Sequence, residues 1–320
     1  MNSNDIQNLM AYEMAYISYS IAWGNWDKIE DFKRTLVEKS LEKSDFSNVS
    51  KYLIMLMILK IEQGDFLEAQ QLISILFEMG KSYDSEIRTQ VATDCKTMLL
   101  LKQKRCHEAK MEAEISDELS RKHITLMRIS TLGRKAEALI LLGEFEEARE
   151  CILQAKDITR KSKFMSRYFI APYLISHFIL DNYMLRAAVE SKKGNYPSDI
   201  QRAAYRSGNS ALNGLKNYAP ARTKLLCLMG EYHWLIGNQT KALKWWQKSI
   251  EIGEKLGAKP DLSRTYFEIG KSLLEPQSRY GELNGTDAQG YLERAETLFK
   301  EMNLERDLSY LESLKEQHGL

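Results

Sequence analysis

The sequence predicts an all-α chain, a solenoid of about six to seven stacked helix pairs filling 1–320 as a single helical-repeat domain. Three observations predict it. Only five prolines occur in 320 residues, against an average usage of about 5%, and proline is the residue a helix interior tolerates least. A short turn recurs: Gly, any residue, a large apolar residue, two more, then a small one that lets two helices approach. Its copies begin at 24, 64, 104, 143, 194, 237 and 290, which sets them 40, 40, 39, 51, 43 and 53 residues apart. That spacing is a period, and a helix pair with tight turns needs about 34 residues, so the surplus lengthens helices or connections.

The best copies of the turn are Gly64-Asp65-Phe66-Leu67-Glu68-Ala69, Gly143-Glu144-Phe145-Glu146-Glu147-Ala148 and Gly290-Tyr291-Leu292-Glu293-Arg294-Ala295. Gly237 to Ala242 keeps the glycine and alanine but not the large apolar residue. Gly24-Asn25-Trp26 has Ile29 in the small slot, Lys104 to Ala109 lacks the glycine, and Gly194-Asn195-Tyr196 is followed by Pro197. Between these turns helices are predicted over 5–22, 26–43, 48–63, 66–80, 83–103, 106–119, 121–142, 145–162, 167–193, 197–216, 219–236, 239–257, 261–275, 288–302 and 304–317. The last is a capping helix. Pro276, Gly281, Gly285 and Gly290 mark the segment at about 276–290 as the longest irregular loop.

The Gly-x-aromatic-x-x-Ala turn resembles the link between the two helices of a tetratricopeptide (TPR) repeat, and the likeness runs through nearly the whole chain. Its best unit is Leu226, Met229, Gly230, Trp234, Gly237, Ala242, Trp246 and Ser249, in which Gly230 resembles the family's close-contact glycine. The stretch from Lys259-Pro260-Asp261-Leu262 to Leu298-Phe299 is similar to the terminal repeats of large bacterial signalling proteins carrying ATPase, cyclase or kinase modules. The resemblance implies a right-handed superhelix whose first helices line a concave, partner-binding face.

Counting back from each turn places Lys51, Met55 and Ile58 on that face in the second unit, Asp94 and Met98 in the third, Arg134 and Glu137 in the fourth, and Lys224, Glu231 and Trp234 in the sixth. Met and Trp would anchor a ligand while the charges fix its direction; packing between repeats is the competing use of the same side chains. The implied function is a non-catalytic protein- or peptide-binding scaffold, a regulatory segment of a signalling protein. The alternative is a small-peptide receptor, similar to cytoplasmic pheromone receptors that close a helical superhelix around their ligand; Asn209 and Asn213, four apart, are candidates for a peptide backbone. The lysine-asparagine carboxylate clamp of chaperone-binding members is not recognisable.

The remaining chemistry is excluded piece by piece. A net charge of +1 removes the general attraction that drives nucleic-acid binding. No apolar run suits a membrane span, and the opening residues have no secretory pattern, so the cytoplasm is the expected compartment. Cys95, Cys106, Cys151 and Cys227 form no Cys-x-x-Cys pair and read as buried thiols. The five histidines, His107 among them, include no zinc motif, and no phosphate loop or nucleophile elbow occurs. No metal or cofactor is expected and no catalytic residues stand out; an enzyme whose site is assembled only by folding is the third reading, and homo-oligomerisation is left open. Glu146-Glu147 and the Glu112/Glu114 pair read as solvated faces. Tyr12, Tyr16 and Tyr19, like Trp245-Trp246, read as core, and Arg160-Lys161-Ser162-Lys163 as a helix end.

Overall fold

The computed structural model describes residues 3–29, 32–82, 85–123, 125–162, 165–191 and 198–320. It is an all-α solenoid, 84% helical, whose helices pack against their neighbours in series. The first three pairs are α1 (Ser3–Trp23) with α2 (Arg34–Glu42), α3 (Phe46–Gln63) with α4 (Phe66–Ser82), and α5 (Glu86–Lys102) with α6 (Cys106–His123). Then come α7 (Thr125–Leu142) with α8 (Phe145–Lys161), and α9 (Arg167–Glu190) with α10 (Ser198–Gly214). Next are α11 (Arg222–Leu235) with α12 (Gln239–Leu256) and α13 (Lys259–Leu274) with α14 (Ala288–Glu301), followed by the unpaired α15 (Glu305–His318). Among the described residues no helix is long and apolar enough to cross a membrane.

The recurring turn works as its composition requires. Gly24, Gly64, Gly143 and Gly237 adopt φ between 76° and 84°, and Lys104 holds the same left-handed place at 58° without being glycine. The small slots Ala69, Ala109, Ala148, Ala242 and Ala295 are all fully buried, so each pair closes on a side chain no larger than a methyl. At Gly230 an added Cβ would overlap the Trp246 indole, whose Nε1 donates to the Cys227 carbonyl at 3.2 Å.

Two predicted elements differ. The helix expected over 26–43 is a 3-10 turn, Trp26–Lys28, and then the shorter α2. Trp26 turns back to donate its Nε1 to the Ile21 carbonyl at 3.0 Å and is buried there, so the chain cannot continue straight into a helix. Gly290, counted as a turn position, lies inside α14, whose range agrees with the helix expected over 288–302; the difference is in the segment at about 276–290, expected to be irregular. The connection is instead a small hairpin of β1 (Glu282–Leu283) and β2 (Thr286–Asp287), with Asn284 and Gly285 both at positive φ. Asp287 then caps α14, its Oδ1 accepting from the Gly290 N–H at 2.8 Å. The turn at Gly194-Asn195-Tyr196 with Pro197, and Lys163 of the basic run, lie outside the described residues.

The array also closes on itself. The turn of the first pair, at Gly24, meets Leu256 of α12 and Ala219; that of the second, at Gly64, meets Pro260 and Met302 of the seventh pair. The third ends against α15, where Arg306 Nη1 donates to the Lys104 carbonyl at 3.3 Å. Units one, two and three therefore contact units six and seven and the cap, a constant offset of five. One apolar core accordingly runs from Met10 to Leu311, drawing on both ends of the chain.

Candidate functional site

Closure leaves a central cavity of about 650 Å³. Its walls are the first helices of successive pairs, α3, α5, α7, α9, α11 and α13, completed by α15. Part of the wall is apolar, with Met98, Leu101, Ile175, Ile179 and Phe267. The rest is densely charged, with eight basic and six acidic side chains on the lining.

Most of those charges are paired across elements distant in sequence. Lys102 Nζ lies 2.7 Å from both Glu62 and Asp261, joining α3, α5 and α13. Arg264 binds Asp307 through two nitrogens at 3.1 and 2.8 Å and also donates to the Lys102 carbonyl at 2.6 Å. Lys224 pairs with Glu137, Lys271 with Glu268, and Arg186 with Glu231 at 3.5 Å.

The electrostatics follow from burial and from these partners. Burial raises the Glu62 carboxyl to about 7, with Asp261 adding to the effect and Lys102 opposing it. Burial likewise raises Glu231 to about 7, helped by the nearby Glu268. At Glu137 and Asp261 burial is outweighed by Lys224 and Lys102 respectively, and both carboxyls are held below their ordinary range. Burial, with Arg264 close by, lowers the Lys104 ammonium.

Of the residues the sequence singled out, Met98, Arg134, Glu137, Lys224 and Glu231 come together on this wall. The others do not. Asp94 lies behind it, buried and saturated by Arg134, Ser130 and Thr131. Trp234 is buried against Trp246 and donates its Nε1 to Glu275 at 2.7 Å. Lys51 is exposed away from the cavity, Met55 packs against the core, and Ile58 is buried within it.

Asn209 and Asn213 do not reach the cavity either. Tyr12 and Tyr19, read as core, are 62% and 58% exposed: their helical spacing puts them on the outer face of α1, where Tyr12 stacks on Tyr16 and Tyr19 leans on Trp23. Trp246 is core, Trp245 half-buried. The four cysteines are buried and unlinked, and His107 is exposed.

The sequence reading missed Glu62, Lys102, Arg186, Asp261, Arg264, Glu268 and Arg306. The same counting from the turns at 194 and 290 does not reach Arg186, Arg264 or Glu268, because α13 already ends at Leu274, well before Gly290, and the frame is lost there. Nothing in the repeat marks α15 as a wall. Among the described residues no group of three or more His, Cys, Asp and Glu side chains is placed to hold a metal ion. No protein-family model matches this chain, and no curated protein matches it significantly.

Proposed function

We propose that this chain is a non-catalytic, TPR-like receptor that holds a short peptide, or a molecule of that size, inside its superhelix. The observation that carries this reading is the closed array around a cavity of about 650 Å³, within the usual volume range of ligand sites and too small for a folded partner. Mixed apolar and charged lining suits a ligand with both kinds of surface. Asn182 adds a polar group to that lining: only 4% exposed, it donates Nδ2 to the Leu228 carbonyl at 3.1 Å, while its Oδ1 is buried without a partner. Such a receptor can serve as the regulatory segment of a signalling protein, reporting occupancy through the closure of its two ends.

Native mass spectrometry of the chain isolated gently from its own cells tests the reading. The expected result is a bound species of peptide or metabolite size that is lost when Ile179→Trp fills the cavity. A wild-type chain that carries a folded protein in stoichiometric amount and nothing in the cavity would overturn it in favour of an open scaffold.

A further inference from the structure

Charge on the cavity wall is not evenly balanced, and the imbalance is local. Among the described residues each lining carboxylate has a basic partner, whereas Lys104 and Arg306 have none. The two cations are neighbours at the α15 end. Arg306 is held in place by donating to the Lys104 carbonyl, to the Cys106 Sγ at 3.2 Å and to the Tyr310 hydroxyl at 3.3 Å. None of these partners carries a negative charge. Lys104 is half-buried, with no ion pair of its own; Arg264 and Lys224 add to the positive field beside it, while Asp307 and Glu137, each paired with another cation, offset it only in part. Exposed Tyr310 stands at the rim, next to Ser313 and Leu314.

We infer that the α15 end of the cavity, at Lys104 and Arg306, binds the anionic group of an amphipathic ligand, a carboxylate or phosphate carried on an apolar body. This rests on the reading of the cavity as a ligand site. Burial of the Lys104 ammonium without an ion pair is costly, and an entering anion removes that cost, with the more open Arg306 as its second contact, while its apolar part covers Leu101 and the Ile175–Ile179 face of α9. The lining carboxylates, including Asp307 at this same end, are already taken up by their own basic partners, so the two cations left over direct the anion here. Two charge-assisted contacts are worth enough to set a preference of about tenfold or more over an uncharged analogue.

The test uses the full chain and two fluorescent probes differing only in charge, anilinonaphthalene sulfonate and uncharged anilinonaphthalene. The sulfonate is expected to bind at one site about tenfold tighter than the neutral dye, and Lys104→Gln should remove most of that difference. Since the Lys104 side chain makes no hydrogen bond, this variant keeps the fold; Arg306→Gln gives the second reading, with Arg306→Lys as the partial rescue. Competition by hexanoate or by hexyl phosphate then identifies the head group. Equal binding of both dyes to the wild type, or a charge preference that survives both Gln variants, overturns the inference and leaves the cavity reading standing. If Ile179→Trp leaves dye binding intact, the cavity is not the site and both readings fall.

Discussion

Glu62, Lys102 and Asp261 place two carboxylates on one ammonium, all nearly excluded from water. Glu62 is the one that gives way, its carboxyl rising from the ordinary 4.5 to about 7. The folded chain therefore binds more protons than the unfolded one between those values, and the stability linked to Glu62 declines as pH rises through that window. Glu62→Gln, which copies the protonated form, should flatten the decline and raise the stability at pH 8 by on the order of 1 kcal/mol. Urea unfolding at pH 5, 6, 7 and 8 measures this, and a steeper slope in the variant would contradict it. Asn182 makes a complementary case. An unsatisfied buried acceptor costs about 1–3 kcal/mol, so Asn182→Leu should keep or raise the melting temperature, which thermal denaturation measures. At this scale the sequence was only partly informative: Glu137 and Lys224 were legible as inner-face residues, but nothing adjacent to Lys104 or Arg306 reveals that they lack carboxylate partners.

Helices and their turns were the most legible level, because the feature that ends each one is local. The Gly64 and Gly143 turns need only a left-handed residue and a small one a few places on. The seventh pair shows the limit: the frame at Gly290 matches the repeat yet falls inside α14, which starts at Ala288 as the helix expected over 288–302 does, while Asn284-Gly285 builds a hairpin where an irregular loop was expected. Two glycines separate kinds of close packing. A Cβ at Gly230 meets the Trp246 side chain, whereas at Gly133 it meets the backbone of Pro172 and Tyr173, where α7 crosses α9. A side chain can shift and a backbone in a packed helix can hardly do so, which makes Gly133→Ala the costlier change. Overpacking of this kind costs about 1–3 kcal/mol; the Trp246 indole is itself fully buried and hydrogen-bonded, so we expect Gly230→Ala near the top of that range and Gly133→Ala above it. Thermal denaturation of both variants checks the order.

The whole molecule depends on contacts that no periodicity encodes. Lys102 reaches Asp261 across 159 residues, and Arg306 reaches Lys104 across 202. Pattern reading stops at neighbouring units because each helix pair advertises only its own two faces; how tightly the array curls is a sum of small rotations without a sequence signature. Lys102 is the test of closure. Lys102→Met leaves Glu62 and Asp261 facing each other unpaired, which costs about 3–5 kcal/mol, and small-angle scattering should show a larger, opened particle if the ion pairs hold the ends together. A destabilised variant with unchanged dimensions would assign closure to the apolar contacts of Gly24 and Gly64 alone.

An open solenoid can gain or lose a unit and keep the rest of its structure. This one cannot, since its first three turns rest on partners five places further on. Duplicating a pair between the first and the sixth would set Gly24 opposite the wrong helix and carry Lys102 away from Asp261. Drift in this sequence can therefore lengthen loops and exchange side chains, while the number of repeats stays locked by the phase of the coil.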